Sequence, residues 1–372
     1  MHILHVIDSL AAGGAERMLV DIANASAAAG QQVSVCVTRA AMTLASDLRP
    51  DIPVLVLDRR KRFEFGAMRR LAAYCHTAKV DILHVHGRTS LSFVALIKTL
   101  GMIRPPVLLH DHYGIEMNAS IPNWFRWWGR FFVNRYVGVY PRLAEWAKSA
   151  GIPAQKVHWL GNALDFSRLT HPRNQILRST YAVPDAVQIG VIIGGIRREK
   201  GIDLLLESMA QTHTQAPFRL FIIGKDTDPA YAATCRAQVL ALGLGERVQF
   251  IGERTDAVLL AHGADFALMP SRSESGPLVL IEIMAAALPF VAFEVGSISQ
   301  QAARSGVPGF VTPLDVVAFA RAVDTLLMLS PAARRARGAA GEQIAQAHFK
   351  IEAKLPEWLA IYRKMLSNPT EQ

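Results

Sequence analysis

The chain is poor in cysteine, with three among 372 residues, and Cys36, Cys75 and Cys235 show neither paired nor metal-ligand spacing. That excludes a disulfide framework and a thiolate zinc site, and it fits a reducing compartment. No apolar run approaches the roughly 18 residues that span a bilayer. The start, Met1 to Ile7, has no basic segment or small-residue cleavage site and reads as a buried strand, so a cytoplasmic protein is expected. There is no G-x-G-x-x-G, and the second strand candidate ends in Thr38-Arg39 without the acid that holds an adenosine ribose, which disfavours dinucleotide binding. A P-loop and a G-x-S-x-G nucleophile elbow are also missing. No repeat, low-complexity segment or recognisable nucleic-acid module occurs, so nucleic acid is not an expected partner.

What the chain has is apolar strand candidates alternating with helical patterns. In the first half these are Ile3–Ile7, Gln32–Val37, Val54–Leu57, Ile82–Val85, Pro106–Leu109 and Tyr136–Val139. In the second they are Gln188–Ile193, Phe218–Ile223, Val248–Ile251, Phe266–Met269, Phe290–Ala292 and Gly309–Val311. Uninterrupted apolar strands separated by helices imply parallel sheets covered on both faces, an α/β class. The alternation breaks around Thr170-His-Pro-Arg-Asn174 and Val183-Pro-Asp185. The expected division is therefore a first domain at 1–167, a linker at 168–187, a second domain at 188–348, and a C-terminal helix at 349–372 crossing back. Doubly wound domains bind ligands at the carboxyl ends of their strands, and two of them would face each other across a cleft.

Charge is uneven. Residues 1–170 hold 20 Lys and Arg against 12 Asp and Glu, a net of +8, and the remainder hold 20 against 19. An anionic partner would meet the first half. Two stretches concentrate this: Arg59-Arg-Lys-Arg62, and Pro122–Arg135, where three Trp and three Phe interleave with three Arg. The second could lie in an anionic membrane interface or pack as a core helix, and the two are compatible if each takes one face. His84 with His86 and His110 with His112 end strand candidates at i, i+2 spacing. With Asp111 they could form a hydrolase-type metal site, or line a polar cleft without metal.

The sharpest chemistry follows strand Phe266–Met269. Pro270-Ser-Arg-Ser-Glu-Ser-Gly-Pro277 leads into a helical pattern from Leu278, an arrangement in which free N–H groups and the helix dipole attract an anion. Glu274 and Glu282 would be repelled by a phosphate and should instead accept hydrogen bonds from sugar and ribose hydroxyls.

In this setting Glu274-x7-Glu282 resembles the signature of the retaining glycosyltransferases of family four, which have the two-domain GT-B fold. The resemblance runs along nearly the whole chain, through Gly13-Gly-Ala-Glu-Arg17, Asp81-Ile-Leu-His-Val-His-Gly87, Asn162-Ala-Leu-Asp165, Gly194-Gly-Ile-Arg-Arg-Glu-Lys-Gly201, Phe221–Gly224 and Phe250–Gly252. It implies hexosyl transfer from a nucleoside diphosphate sugar to a saccharide or lipid-linked acceptor, in cell-surface polysaccharide or glycolipid synthesis. It implies no metal and no cofactor besides the sugar nucleotide, while the N-terminal charge and the Trp/Phe/Arg stretch favour a cytoplasmic setting, peripheral on the inner membrane face. Lys200, Glu274 and His110 take the catalytic roles, with His112 as the rival of His110. The donor contacts are Gly13, Gly14, Gly195, Arg197, Arg198, Lys200, Glu274, Ser275, Gly276, Pro277, Leu278 and Glu282. His86, His112 and Asn162 belong to the acceptor side. Gly195 stands where the family often has Arg, Ala163 where it has Gly, and Ser297 and Gln300 where a Gly and a Glu are common. A sugar-nucleotide epimerase shares the architecture and is the first alternative, ahead of the His-rich hydrolase and a silent sugar-nucleotide binder.

Overall fold

The computed structural model describes residues 1–61, 64–112, 121–297 and 309–367. Arg62 of the first basic cluster and Gln300 lie outside them. The chain forms two compact units, Met1–Leu164 with Ile351–Gln372, and Asp165–Lys350.

The first unit runs β1 (His2–Ile7), α1 (Gly14–Ala28), β2 (Gln32–Val37), β3 (Val54–Val56), α2 (Phe65–Thr77), β4 (Ile82–His86), α3 (Gly87–Thr99), β5 (Val107–Asp111), α4 (Asn123–Phe132), β6 (Val133–Gly138), α5 (Pro141–Ser149) and β7 (Val157–Trp159). Its seven strands are parallel, in the order β3-β2-β1-β4-β5-β6-β7. Every residue of β1, β4 and β5 is buried, as strands covered on both faces require. The helix Ile351–Ser367 belongs to this unit, where Trp358 and Tyr362 are buried.

The second unit runs α6 (Ile176–Thr180), β8 (Gln188–Ile193), α7 (Ile202–Ala210), β9 (Phe218–Ile223), α8 (Pro229–Ala241), β10 (Val248–Gly252), α9 (Ala257–Ala261), β11 (Phe266–Met269), α10 (Leu278–Ala285), β12 (Phe290–Phe293) and β13 (Phe310–Thr312), followed by helices Val316–Met328 and Pro331–His348. Six parallel strands lie in the order β10-β9-β8-β11-β12-β13. Strand order therefore reverses between β1 and β4 in one sheet and between β8 and β11 in the other. Those are the points where doubly wound sheets open a crevice.

The division differs from the expected one. Segment 168–187 is part of the second unit, anchored by Arg173 and Arg178 on Asp265 at 2.5 and 3.6 Å. Asn174 Nδ2 adds a hydrogen bond to the Leu259 carbonyl. Polar residues and prolines made it read as a linker, and polar bonds are what hold it. Among the described residues no single helix is long and apolar enough to cross a membrane.

Candidate functional site

The second unit's crevice is built from two loops in backbone contact. After β8 the chain passes Gly194 (φ +150°) and a 3-10 turn, Arg198–Lys200, then enters α7 through Gly201 at φ +65°. A Cβ on Gly201 would overlap the carbonyl oxygen of Pro270 in the loop after β11. Only glycine accepts both that conformation and that approach. Gly224, at the end of β9, serves the same purpose: a Cβ there would overlap the Gly194 carbonyl.

Side chains then tie the loops together. Lys200 Nζ donates to Glu274 Oε1 at 2.6 Å, and Ser271 Oγ donates to the same oxygen at 2.8 Å. Arg272 grips Asp203 in the first turn of α7 with two bonds of 2.5 and 2.7 Å, and its backbone N–H donates to the Glu199 carbonyl. On the far side, Gly296 (φ +71°) sits where a Cβ would stand 3.1 Å from Glu274, and Ser297 donates twice to the Ser275 carbonyl.

Helix α10 starts after Pro277 with no side-chain cap, so its first turn keeps donors for an anion. Glu282 lies further along this helix, 3.5 Å from the guanidinium of Arg168. Arg168 comes from a 3-10 turn capped by Asp165, whose carboxylate accepts from the Ser167 N–H at 2.8 Å. Sequence reasoning missed Arg168, because no local spacing connects it to Glu282. Asp203, which holds Arg272, was missed for the same reason.

The arginines expected beside Lys200 are placed differently. Arg197 and Arg198 are exposed, and Arg197 pairs with Glu199 at 3.6 Å. At Gly195 a Cβ would stand 3.0 Å from both Thr227 branches, a tight fit.

The expected set is divided between the units. Gly195, Arg197, Arg198, Lys200, Glu274, Ser275, Gly276, Pro277, Leu278 and Glu282 are in the second, and Gly13, Gly14, His86, His110, His112 and Asn162 are in the first. At the first unit's switch point a pocket of about 230 Å³ lies between the ends of β1 and β4, lined among others by Asp8, Glu16, His86 and Arg88. Gly13 caps α1 through its backbone, and Gly14 is the first helical residue. Burial pushes the Glu16 carboxyl up, opposed by hydrogen bonds that include one from Ser9. Asn162 is buried.

His110 is fully buried, its ring 4.7 Å from that of Trp358, while His112 is 9% exposed. His5, which sequence reasoning passed over, joins them, because the β1–β4 register sets His5 beside His84. Asp111 does not complete this set. It alternates to the other face of β5, where it accepts from Tyr136 Oη at 2.9 Å and Arg88 Nε at 3.0 Å. The hydrolase arrangement of histidines plus Asp111 is therefore not formed.

The chain matches the family model of Glycosyltransferase Family 4 over residues 12–168, and that of Glycosyl transferases group 1 over residues 188–328. It is 31% identical over 161 residues to D-inositol 3-phosphate glycosyltransferase of Jonesia denitrificans, spanning 40% of this chain and 38% of that one. It is 25% identical over 177 residues to the lipopolysaccharide core biosynthesis mannosyltransferase of Rhizobium meliloti, spanning 46% and 50%. The matches thus cover half or less of these relatives' length. The crystal structure of HepE from Anabaena, in complex with UDP and glucose, superposes with a TM-score of 0.80 at 21% identity, covering 97% of this chain and 98% of that one.

Proposed function

The chain belongs to the group 1, family-four glycosyltransferases of GT-B fold, and from that membership we propose that it transfers a hexosyl group from a nucleoside diphosphate sugar to a hydroxyl acceptor with retention. The observation that carries this is the Lys200–Glu274–Ser271 cluster beside the uncapped start of α10, at the carboxyl ends of β8 and β11.

In this reading the donor diphosphate takes over the Lys200 ammonium, and the freed Glu274 accepts hydrogen bonds from the transferred sugar. Glu282 accepts from the ribose hydroxyls, oriented by Arg168. The bond from the anomeric carbon to the diphosphate breaks while the acceptor oxygen bonds to the same face of that carbon. The acceptor proton passes to the departing phosphate oxygen. Negative charge grows on the leaving group, and Lys200 with the dipole of α10 stabilises it without a donor-bound metal.

The acceptor is proposed to be a saccharide or lipid-linked molecule at an anionic membrane surface on its cytoplasmic side. The lipopolysaccharide-core relative supports that class. So does α4, which packs Phe125 and Gly129 inward and leaves Arg126, Trp127, Arg130 and Phe131 exposed. Trp127 is 50% and Phe131 59% exposed, with ring centroids 5.3 Å apart, an apolar pair flanked by cations. The test is incubation with a panel of nucleoside diphosphate hexoses and lipid-linked acceptors, with the product's anomeric configuration read by NMR. Acceptor-dependent release of nucleotide with retention is expected; acceptor-independent isomerisation of the donor would indicate an epimerase.

A further inference from the structure

Five histidines, His5, His84, His86, His110 and His112, stand on one face of the first unit's sheet with 0–9% of their surface exposed. Rows His5–His84 and His86–His110 are set by strand register, and His112 follows just past β5. Their rings form a continuous array: centroids lie 4.3 Å apart for His84 and His86, 4.0 Å for His110 and His112, and 5.3 Å for His86 and His110. An apolar sheet face would fill this space without any unpaired polar atom, so the imidazoles need a physical reason.

Hydrogen bonding within the cluster does not supply one. His86 Nε2 contacts His5 Nδ1 at 3.0 Å, His86 Nδ1 contacts His112 Nε2 at 3.1 Å, and His84 Nδ1 contacts Tyr362 Oη at 2.8 Å. His5 Nε2, His84 Nε2 and both nitrogens of His110 are buried with no partner among the described residues. Each such atom is destabilising if left unpaired.

We propose that the first unit binds a late transition-metal dication of the zinc class, ligated by His86, His110 and His112. Their ligand atoms lie within 4.8 Å of one another. The 3.1 Å between His86 Nδ1 and His112 Nε2 is close to the edge of about 3.3 Å that a tetrahedron with zinc–nitrogen bonds of about 2.0–2.1 Å requires. A metal there uses a His110 nitrogen that otherwise has no partner. The set contains imidazole alone, since Asp111 is engaged by Arg88 and Tyr136; this selects zinc, copper, nickel or cobalt over magnesium or calcium.

His5, His84 and His86 form a second possible trio, the deeper of the two, with His5 and His84 wholly buried. The chosen trio is the more accessible, because it ends on His112, 9% exposed, and includes His86, which lines the pocket at the ends of β1 and β4. Three protein ligands leave a fourth position for water or an oxyanion. His110 thereby becomes a metal ligand, where the family resemblance would set it beside the sugar. The inference does not depend on the proposed transferase activity.

The test is cobalt titration of the untagged full chain after chelator treatment, read in the visible spectrum. Intense d–d bands saturating near one equivalent and displaced by zinc are expected; only the weak bands of octahedral, solvent-like cobalt would overturn the proposal. His110→Ala and His112→Ala should abolish the bands, and His5→Ala should keep them. Bands lost in His5→Ala but kept in His112→Ala would overturn this ligand set. If a variant fails to fold, the wild-type titration still decides whether the metal binds, and His112→Gln against His5→Gln decides the ligand set.

Discussion

Lys200 Nζ and Glu274 Oε1 lie 2.6 Å apart, joining the loop after β8 to the loop after β11 by a pair whose side chains are 18% and 12% exposed. The cation assigned to the donor diphosphate is thus held, before donor arrives, by the carboxylate assigned to the sugar. Lys200→Ala should lower turnover by about 10²–10³, the usual loss of one electrostatic stabiliser of a leaving oxyanion. Ser271 still bonds Glu274 in that variant, so the thermal midpoint should fall by only about 2–4 °C. Steady-state kinetics with a melting curve check both, and near-normal turnover would remove Lys200 from the mechanism.

Gly201 is predicted to be far less tolerant than its exposed neighbours. Gly201→Ala imposes a left-handed alanine, costing about 1–2 kcal/mol, and drives its methyl into Pro270. Denaturant melts should show a larger loss than for Arg198→Ala, with donor affinity falling as the two loops part.

Glu282→Gln should raise the donor KM roughly tenfold to a hundredfold, matching about 1.5–3 kcal/mol for hydrogen bonds to a charged group. A 2′-deoxy donor should lose its disadvantage in this variant. Arg168→Ala, which leaves Glu282 without its 3.5 Å partner guanidinium, should move KM in the same direction by less.

The exposed face of α4 is predicted to carry vesicle binding and little stability. Trp127→Ser with Phe131→Ser should reduce sedimentation with anionic vesicles, while the melting curve stays within about 0.5 kcal/mol of wild type. Arg126→Gln and Arg130→Gln should each weaken binding by about 1 kcal/mol. Equal sedimentation of all these variants would assign the membrane contact elsewhere or exclude it.

Much of the fold was legible because its strands are apolar along their whole length. Runs such as Gln32–Val37 and Phe266–Met269 coincide with β2 and β11. Strand β7 was not legible: it has three residues, none fully buried, with His158 at its centre. The Lys200 and Glu274 loops were legible because glycine and proline punctuate them, and their mutual bond was not, because the two residues are 74 positions apart. The i, i+2 histidine pairs could be read as sharing a face. His5 could not be added to them, since that needs the β1–β4 register.

The central claim is that the Lys200–Glu274 loops and the start of α10 hold a nucleoside diphosphate. Thermal shift of wild type and Lys200→Ala against a panel of nucleoside diphosphates and their sugars tests it most directly. At about 100 times its dissociation constant, the matching ligand should stabilise wild type by about 2.7 kcal/mol, and Lys200→Ala by much less. Equal stabilisation of both proteins, or none by any member of the panel, would contradict the account.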